Sequence, residues 1–255
     1  MRRPLLTENA NGCLQQVSAQ LANFFRGAYI SRHPLTLLAH NAHDNERYPL
    51  RERDSDMRSS ALYRATATAG FASAVLLVIN VFRRAGLLPE TTLTHAIAPF
   101  AALTGLLAIT GLYLLIRGTS GTLGLIGYLL NAAGLAGAYA IEYTLHYVFP
   151  LLDGAKVTEL LAGGTGRAFL ITSVVLLAGV VTFSAAALRT GTLPPLGVIF
   201  YAVGMIPGAL RNMVPLPVYL IGLALAAAGI AWMSARLWSA QEKAAPLPTR
   251  RQVTA

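Results

Sequence analysis

The chain is short of charge, of sulfur and of lysine. Only 12% of its 255 residues are charged, about half of what a soluble domain of this length carries. The single cysteine, Cys13, excludes a disulfide framework within the chain and a thiolate metal centre. Two lysines stand against eighteen arginines, amid abundant alanine, leucine and glycine, a usage that points to a GC-rich bacterial genome. No basic patch interleaved with aromatic residues is present, which excludes a nucleic-acid partner. The opening residues MRRPLLTENANG carry charge but no apolar run behind it, so no signal peptide is expected and the first span acts as its own insertion signal. Catalytic signatures are missing as well. No serine sits in a Gly-x-Ser-x-Gly context, and Gly163–Gly166 lacks the Lys-Ser/Thr of a phosphate loop.

What fills the chain instead is apolar sequence, 55% hydrophobic with a mean hydropathy of +0.54. Long apolar runs joined by short loops predict an all-α fold, a polytopic transmembrane helix bundle of about six spans. The runs lie near 65–82, 95–116, 123–149, 168–188, 196–210 and 216–237, within a membrane domain covering 57–238. Arg83-Arg84 closes the first run, Pro99 falls in the first turn of the second, and Pro150 ends the third. Asp153, Lys156 and Glu159 mark a loop, Gly163–Gly166 reads as a flexible turn, and Pro207-Gly208 as a kink or stop. Trp232 and Trp238 suit an interfacial anchor.

Residues 1–56 read as a cytoplasmic tail, mostly disordered. Leu14, Val17, Leu21, Phe24 and Ala28 recur at helical spacing, consistent with an amphipathic helix at 12–29. The mixed-charge stretch 41–58 reads as a disordered linker. The alternative is a true start at Met57, with residues 1–56 a mis-called extension. Residues 239–255 form a second polar tail. With six spans, eleven basic residues flank the spans on the side of the termini and five on the other. That asymmetry puts both termini in the cytoplasm of a bacterial plasma membrane.

The third run, Gly121 to Pro150, is the longest and the oddest. On a helical wheel Gly124, Gly127, Asn131, Gly134, Ala138 and Glu142 share one narrow sector. A small face allows close helix approach in lipid, and Asn131 then hydrogen-bonds to a neighbouring helix. The other reading is a narrow polar pathway lined by this face. An intramembrane carboxylate is costly unless paired, so Glu142 should face the interior. Arg83, Arg84, Arg167 and Arg211 are its candidate ion-pair partners on that side. His146 lies one turn beyond Glu142, and His95 opens the second run on the same side. Together with Glu142 they make a conceivable metal or haem set, but the spacing is not that of a known motif, and no metal or other cofactor is assigned. His33, His40 and His43 lie in the polar tail at spacings unlike a zinc site. The exits Arg117-GTSGTLGLIGYLLNAAGL and Arg189-TGTLPPLGVIFYAVGM resemble each other, as a duplicated helical hairpin would.

The Gly124, Gly127, Asn131 run, with Glu142 downstream, resembles the small multi-span bacterial membrane proteins of the DUF4386 type over about residues 57–238. That resemblance implies a helical membrane domain and no particular activity. Three functions fit the residues. The favoured one is a non-enzymatic bundle that binds a small apolar ligand, a lipid or a partner. The second is a small transporter or channel subunit with Glu142 as its ion- or proton-coupled carboxylate. The third is an intramembrane enzyme using Glu142, His146 and His95. The partners implied are the lipid bilayer and a second copy or another membrane protein.

Overall fold

The computed structural model describes residues 48–244 except Asn212, with side chains over residues 60–240. The expected amphipathic helix at 12–29, Cys13, the tail histidines and most of both tails lie outside the described residues. Every regular element among the described residues is helical: α1 (Tyr48–Arg84), α2 (Thr92–Ile97), α3 (Phe100–Tyr143), α4 (Gly154–Ala162), α5 (Gly164–Thr190), α6 (Pro195–Ala209) and α7 (Leu216–Ala244). A π-helical turn (Thr144–Val148) and a 3-10 turn (Phe149–Leu151) prolong α3. Four stretches are long and apolar enough to cross a membrane: Ser60–Arg84, Thr92–Leu151, Gly164–Thr190 and Leu216–Ala240, with Pro195–Ala209 a shorter apolar helix.

The 60-residue stretch Thr92–Leu151 is not one rod. Gly121 breaks α3 with φ 58° and ψ −156°, a backbone region essentially confined to glycine. The two arms, 100–120 and 122–143, fold back along each other. Tyr113 stacks on Tyr128 with centroids 4.5 Å apart, Phe100 meets Tyr139 edge-on, and His95 meets His146 further along. Each of these pairs lies nearly symmetrically about the glycine, as an antiparallel hairpin requires.

Three antiparallel helix pairs then share one construction, with a small residue wherever backbones cross. In the first, α1 lies against the first arm of α3. Ser73 Oγ donates to the Ala101 carbonyl at 2.9 Å, and a Cβ at Gly111 would come within 2.2 Å of Thr66 Oγ1. In the second, the other arm of α3 lies on α5. A Cβ at Gly127 would sit 2.5 Å from the Phe183 nitrogen, and one at Gly179 would sit 2.2 Å from the Asn131 nitrogen. In the third, α6 lies on α7, where a Cβ at Gly204 would be 2.4 Å from the Ala226 nitrogen. Lipid tails are as apolar as the helices, so close backbone packing has to hold such a bundle together. The pattern Gly127-x-x-x-Asn131-x-x-Gly134 recurs as Gly197-x-x-x-Tyr201-x-x-Gly204, and Gly179-x-x-x-Phe183-Ser184 as Gly229-x-x-x-Met233-Ser234. Phe183 and Met233 are both fully buried, and so is Leu112 in the first pair. The turns that follow Arg117 and Arg189 both contain a positive-φ glycine, Gly121 and Gly191.

Several expectations need correction. The stretch 48–58 is helical, because no proline or glycine intervenes from Leu50 to Ala69 and Arg, Glu, Met and Leu are good helix formers. The 37 residues of α1 make a helix of about 55 Å, longer than a bilayer core. Residues 239–244 likewise continue α7 rather than opening the tail. Pro99 does not sit within the second run. It separates that run from the short α2, which Thr91 starts through a capping box with Thr94. The segment read as a loop after Pro150 contains α4, capped by Asp153, whose carboxylate accepts from the Lys156 N–H at 2.7 Å. Of the glycines read as a flexible turn, Gly163 alone breaks the chain, and Gly164 and Gly166 belong to the first turn of α5.

Candidate functional site

The bundle has two polar levels. At the middle, Asn131 is completely buried where α3 crosses α5. Its amide donates to Tyr201 Oη at 2.8 Å, and the tyrosine hydroxyl donates back to Asn131 Oδ1 at 3.0 Å. Asn131 and Tyr201 occupy the same position of the repeated pattern. The second and third helix pairs are thus joined by a reciprocal hydrogen bond between equivalent residues. A buried amide and a buried phenol satisfy each other there, which removes the cost of either alone.

The second level lies at the bundle end opposite Gly121. Here the ends of α1 and α6 meet the starts of α2 and α7 and the last turns of α3. Glu142 Oε1 accepts from Arg211 Nη1 at 2.5 Å, and its Oε2 lies 3.3 Å from His146 Nε2. His146 Nδ1 is 2.9 Å from His95 Nδ1, and His95 Nε2 is 3.8 Å from Glu90 Oε2. The Tyr147 hydroxyl donates to the Ala96 carbonyl at 2.9 Å, which ties α2 to the π-helical turn and holds the two imidazoles together. On α1, Asn80 Oδ1 accepts from Arg83 at 3.1 Å and from Arg84 at 3.3 Å. Arg84 also lies over the Tyr219 ring at 5.4 Å. Arg83, buried to 4% side-chain exposure, reaches the exposed Glu90 at 3.9 Å.

A cavity of about 110 Å³ connects the levels. Its wall is mostly alanine, glycine and leucine, and its polar groups are Ser73, Asn80, Glu142, Tyr201 and Tyr219. Glu142 therefore has one oxygen on an arginine, while its other oxygen and His146 Nε2 are buried without a well-formed hydrogen bond.

No protein-family model, curated protein or solved structure matches this chain. The site therefore has to be judged on its own geometry.

The structure brings together Glu142, His146, His95 and, of the four candidate arginines, Arg211 as the direct partner. Arg83 and Arg84 surround the same end through Asn80, Glu90 and Tyr219, and no ion pair to Arg167 is found among the described residues. Gly127 and Gly134 form the packing face against α5, as the wheel implies, with Gly124 near Ala186 further along. Ala138, one turn before Glu142, lines the cavity instead. Asn131 does not line it, although its hydrogen-bond partner Tyr201 does. The three acid and imidazole groups lie in a row rather than around one point, and no cluster of three or more such groups is placed to hold a metal ion among the described residues.

Sequence reading overlooks Tyr201, Tyr219 and the role of Glu90. Tyr201 could have been found from the repeat, since it stands where Asn131 stands. Tyr219 and Glu90 have no comparable signal, because a tyrosine near a span end reads as an interfacial residue and a loop glutamate as solvated.

Proposed function

We propose that the chain is a six-span membrane protein that binds a small, mainly hydrocarbon ligand carrying one hydrogen-bond donor. The observation behind this reading is the internal cavity, apolar on its walls and floored by Glu142, Asn80 and Tyr219. Ligand sites combine an apolar wall with a few convergent polar groups in this way. The hairpin at Gly121 divides Thr92–Leu151 into two crossings, and α6 supplies the fifth. Its 15 residues reach about 22 Å, so the bilayer thins locally around it. An even number of crossings puts both tails on one side, which the excess of arginine assigns to the cytoplasm.

An apolar cavity of about 150 Å³ accepts benzene, so the ligand for this smaller cavity of about 110 Å³ has about four or five non-hydrogen atoms. The donor group, an amine or a hydroxyl, points at Glu142 Oε2. The test is thermal unfolding of the detergent-purified chain with n-butylamine, n-butanol and n-pentane at equal free concentration. The amine and alcohol should raise the midpoint and the alkane should raise it less. Equal shifts for all three, or none for any, would remove this reading.

A transporter is the second reading, favoured by one observation: the cavity runs from Glu142 to Tyr201, the partner of Asn131, deep in the bundle. Ligand-dependent uptake into vesicles containing the purified chain would separate carriage from binding alone.

A further inference from the structure

Four titratable side chains stand in line from the surface to the cavity floor. Glu90 is 67% exposed in the loop before α2, His95 is 39% exposed on α2, and His146 and Glu142 are 7% and 19% exposed at the end of α3. The gaps between them are 3.8, 2.9 and 3.3 Å. Only the middle gap is a settled hydrogen bond. It joins two Nδ1 atoms, so one imidazole must donate through Nδ1 while the other accepts there. Each ring then has its Nε2 free for its own carboxylate, Glu90 on the outer side and Glu142 on the inner. The His146 Nε2 and Glu142 Oε2 atoms are buried and face each other without a well-aligned bond. His146 sits inside a π-helical turn, an irregularity that tends to mark functional positions in long helices.

We infer that Glu90, His95, His146 and Glu142 form a proton path between the outer surface and the cavity. The inward step starts with His95 protonated at Nδ1 and His146 protonated at Nε2. Glu90 passes a proton taken from hydronium in the outer solution, which leaves water, to His95 Nε2. His95 gives its Nδ1 proton to His146 Nδ1, and His146 gives its Nε2 proton to Glu142 Oε2. One proton has entered, both rings remain neutral, and each has changed tautomer. The outward step reverses the same transfers and restores the starting tautomers. No other bond forms or breaks, and hydronium is the only co-reactant.

The end point matters because of what faces Glu142. Arg211 donates to it from the segment after α6, Arg84 and Arg83 act on it through space from α1, and Tyr219 approaches from α7. A proton on Glu142 removes the charge that holds Arg211, so the floor of the cavity changes from a carboxylate to a hydrogen-bond donor with a freed guanidinium beside it. The path rests on the reading of this cavity as the site, and it makes ligand occupancy respond to pH on the side away from the termini.

The test needs no ligand, so its failure leaves the binding reading standing. A pH jump is applied to the full chain in lipid nanodiscs and the carboxyl stretch of Glu142, identified by its loss in Glu142→Gln, is followed by infrared spectroscopy. Glu90→Gln, an exposed loop substitution, should slow the Glu142 response at least about tenfold and leave its final amplitude unchanged. His95→Gly should slow it further, and free imidazole should restore the rate, which a purely structural role of His95 does not allow. An unchanged rate in Glu90→Gln, a Glu142 band that ignores pH, or a slow His95→Gly response without imidazole rescue would each overturn the proposal.

Discussion

At the scale of single residues, two polar groupings matter most: a pair that holds helices together and a cluster that borders a cavity. The Asn131–Tyr201 pair is reciprocal and fully enclosed. Tyr201→Phe should destabilise the protein by about 1–3 kcal/mol, because it leaves both polar atoms of the Asn131 amide unsatisfied. Asn131→Leu combined with Tyr201→Phe should recover part of that loss, read from a double-mutant cycle of unfolding midpoints in detergent. Additive costs would show that the two side chains are not coupled. Glu142→Gln should cost on the order of 1–3 kcal/mol, between the surface and fully buried limits, since Arg211 is left partly buried without its acid. Glu142→Gln with Arg211→Met should be less damaging than Glu142→Gln alone. Glu142 was legible as a residue that had to be paired, because an intramembrane carboxylate has few other fates. Its partner was not. Arg211 is 69 residues away in sequence, and four arginines were equally eligible until the helix pairs were placed.

At the scale of elements, glycine carries the architecture in two ways. Gly121 is needed for its backbone, with φ 58° in a stretch otherwise able to form one continuous helix. Gly121→Ala should cost about 1–3 kcal/mol, visible as a lower unfolding midpoint. An unchanged midpoint would mean that the hairpin does not depend on this conformation. Gly127 and Gly134 are needed for what they lack, since the backbone of α5 occupies the place of their Cβ atoms. Gly127→Leu should cost at least about 3 kcal/mol by overpacking, whereas Gly118→Leu, in open space, should cost little. The helical period of 3.6 made the small face of the third run visible, and hydropathy placed the apolar runs close to where they are found. The missed elements have separate causes. α4 is nine residues long, too short for a hydropathy window, and its start is signalled only by Asp153 as a cap. The helical stretch 48–58 reads as linker in sequence because its charge pattern outweighs its uninterrupted run of helix formers.

At the scale of the whole molecule, three helix pairs of one design enclose a cavity bounded at one end by charged and polar side chains. The resemblance seen in sequence joins the exits at Arg117 and Arg189, whereas the structure repeats the pairs that begin after those turns. The first pair places Thr66, Gly70 and Ser73 at the spacing of Gly127, Asn131 and Gly134 in the second, and only contacts show the correspondence. The charged end gathers arginines around a buried carboxylate, a grouping no linear motif records because α1, α2, α3, α6 and α7 all border it. The orientation has its own test. A reporter fused at the C-terminus should be active in the cytoplasm, and one inserted after Asp153 should be active on the opposite face. Both on one side would refute the three crossings, α5, α6 and α7, between Asp153 and the C-terminus. The account stands or falls on the cavity as a binding site, and Ala138→Leu tests it most directly, since Ala138 lines the cavity one turn from Glu142 and a leucine would fill it. Its unfolding midpoint should equal or exceed that of the unaltered chain, and the stabilisation by n-butylamine should vanish. A stable Ala138→Leu protein that n-butylamine stabilises as fully as before would contradict the account.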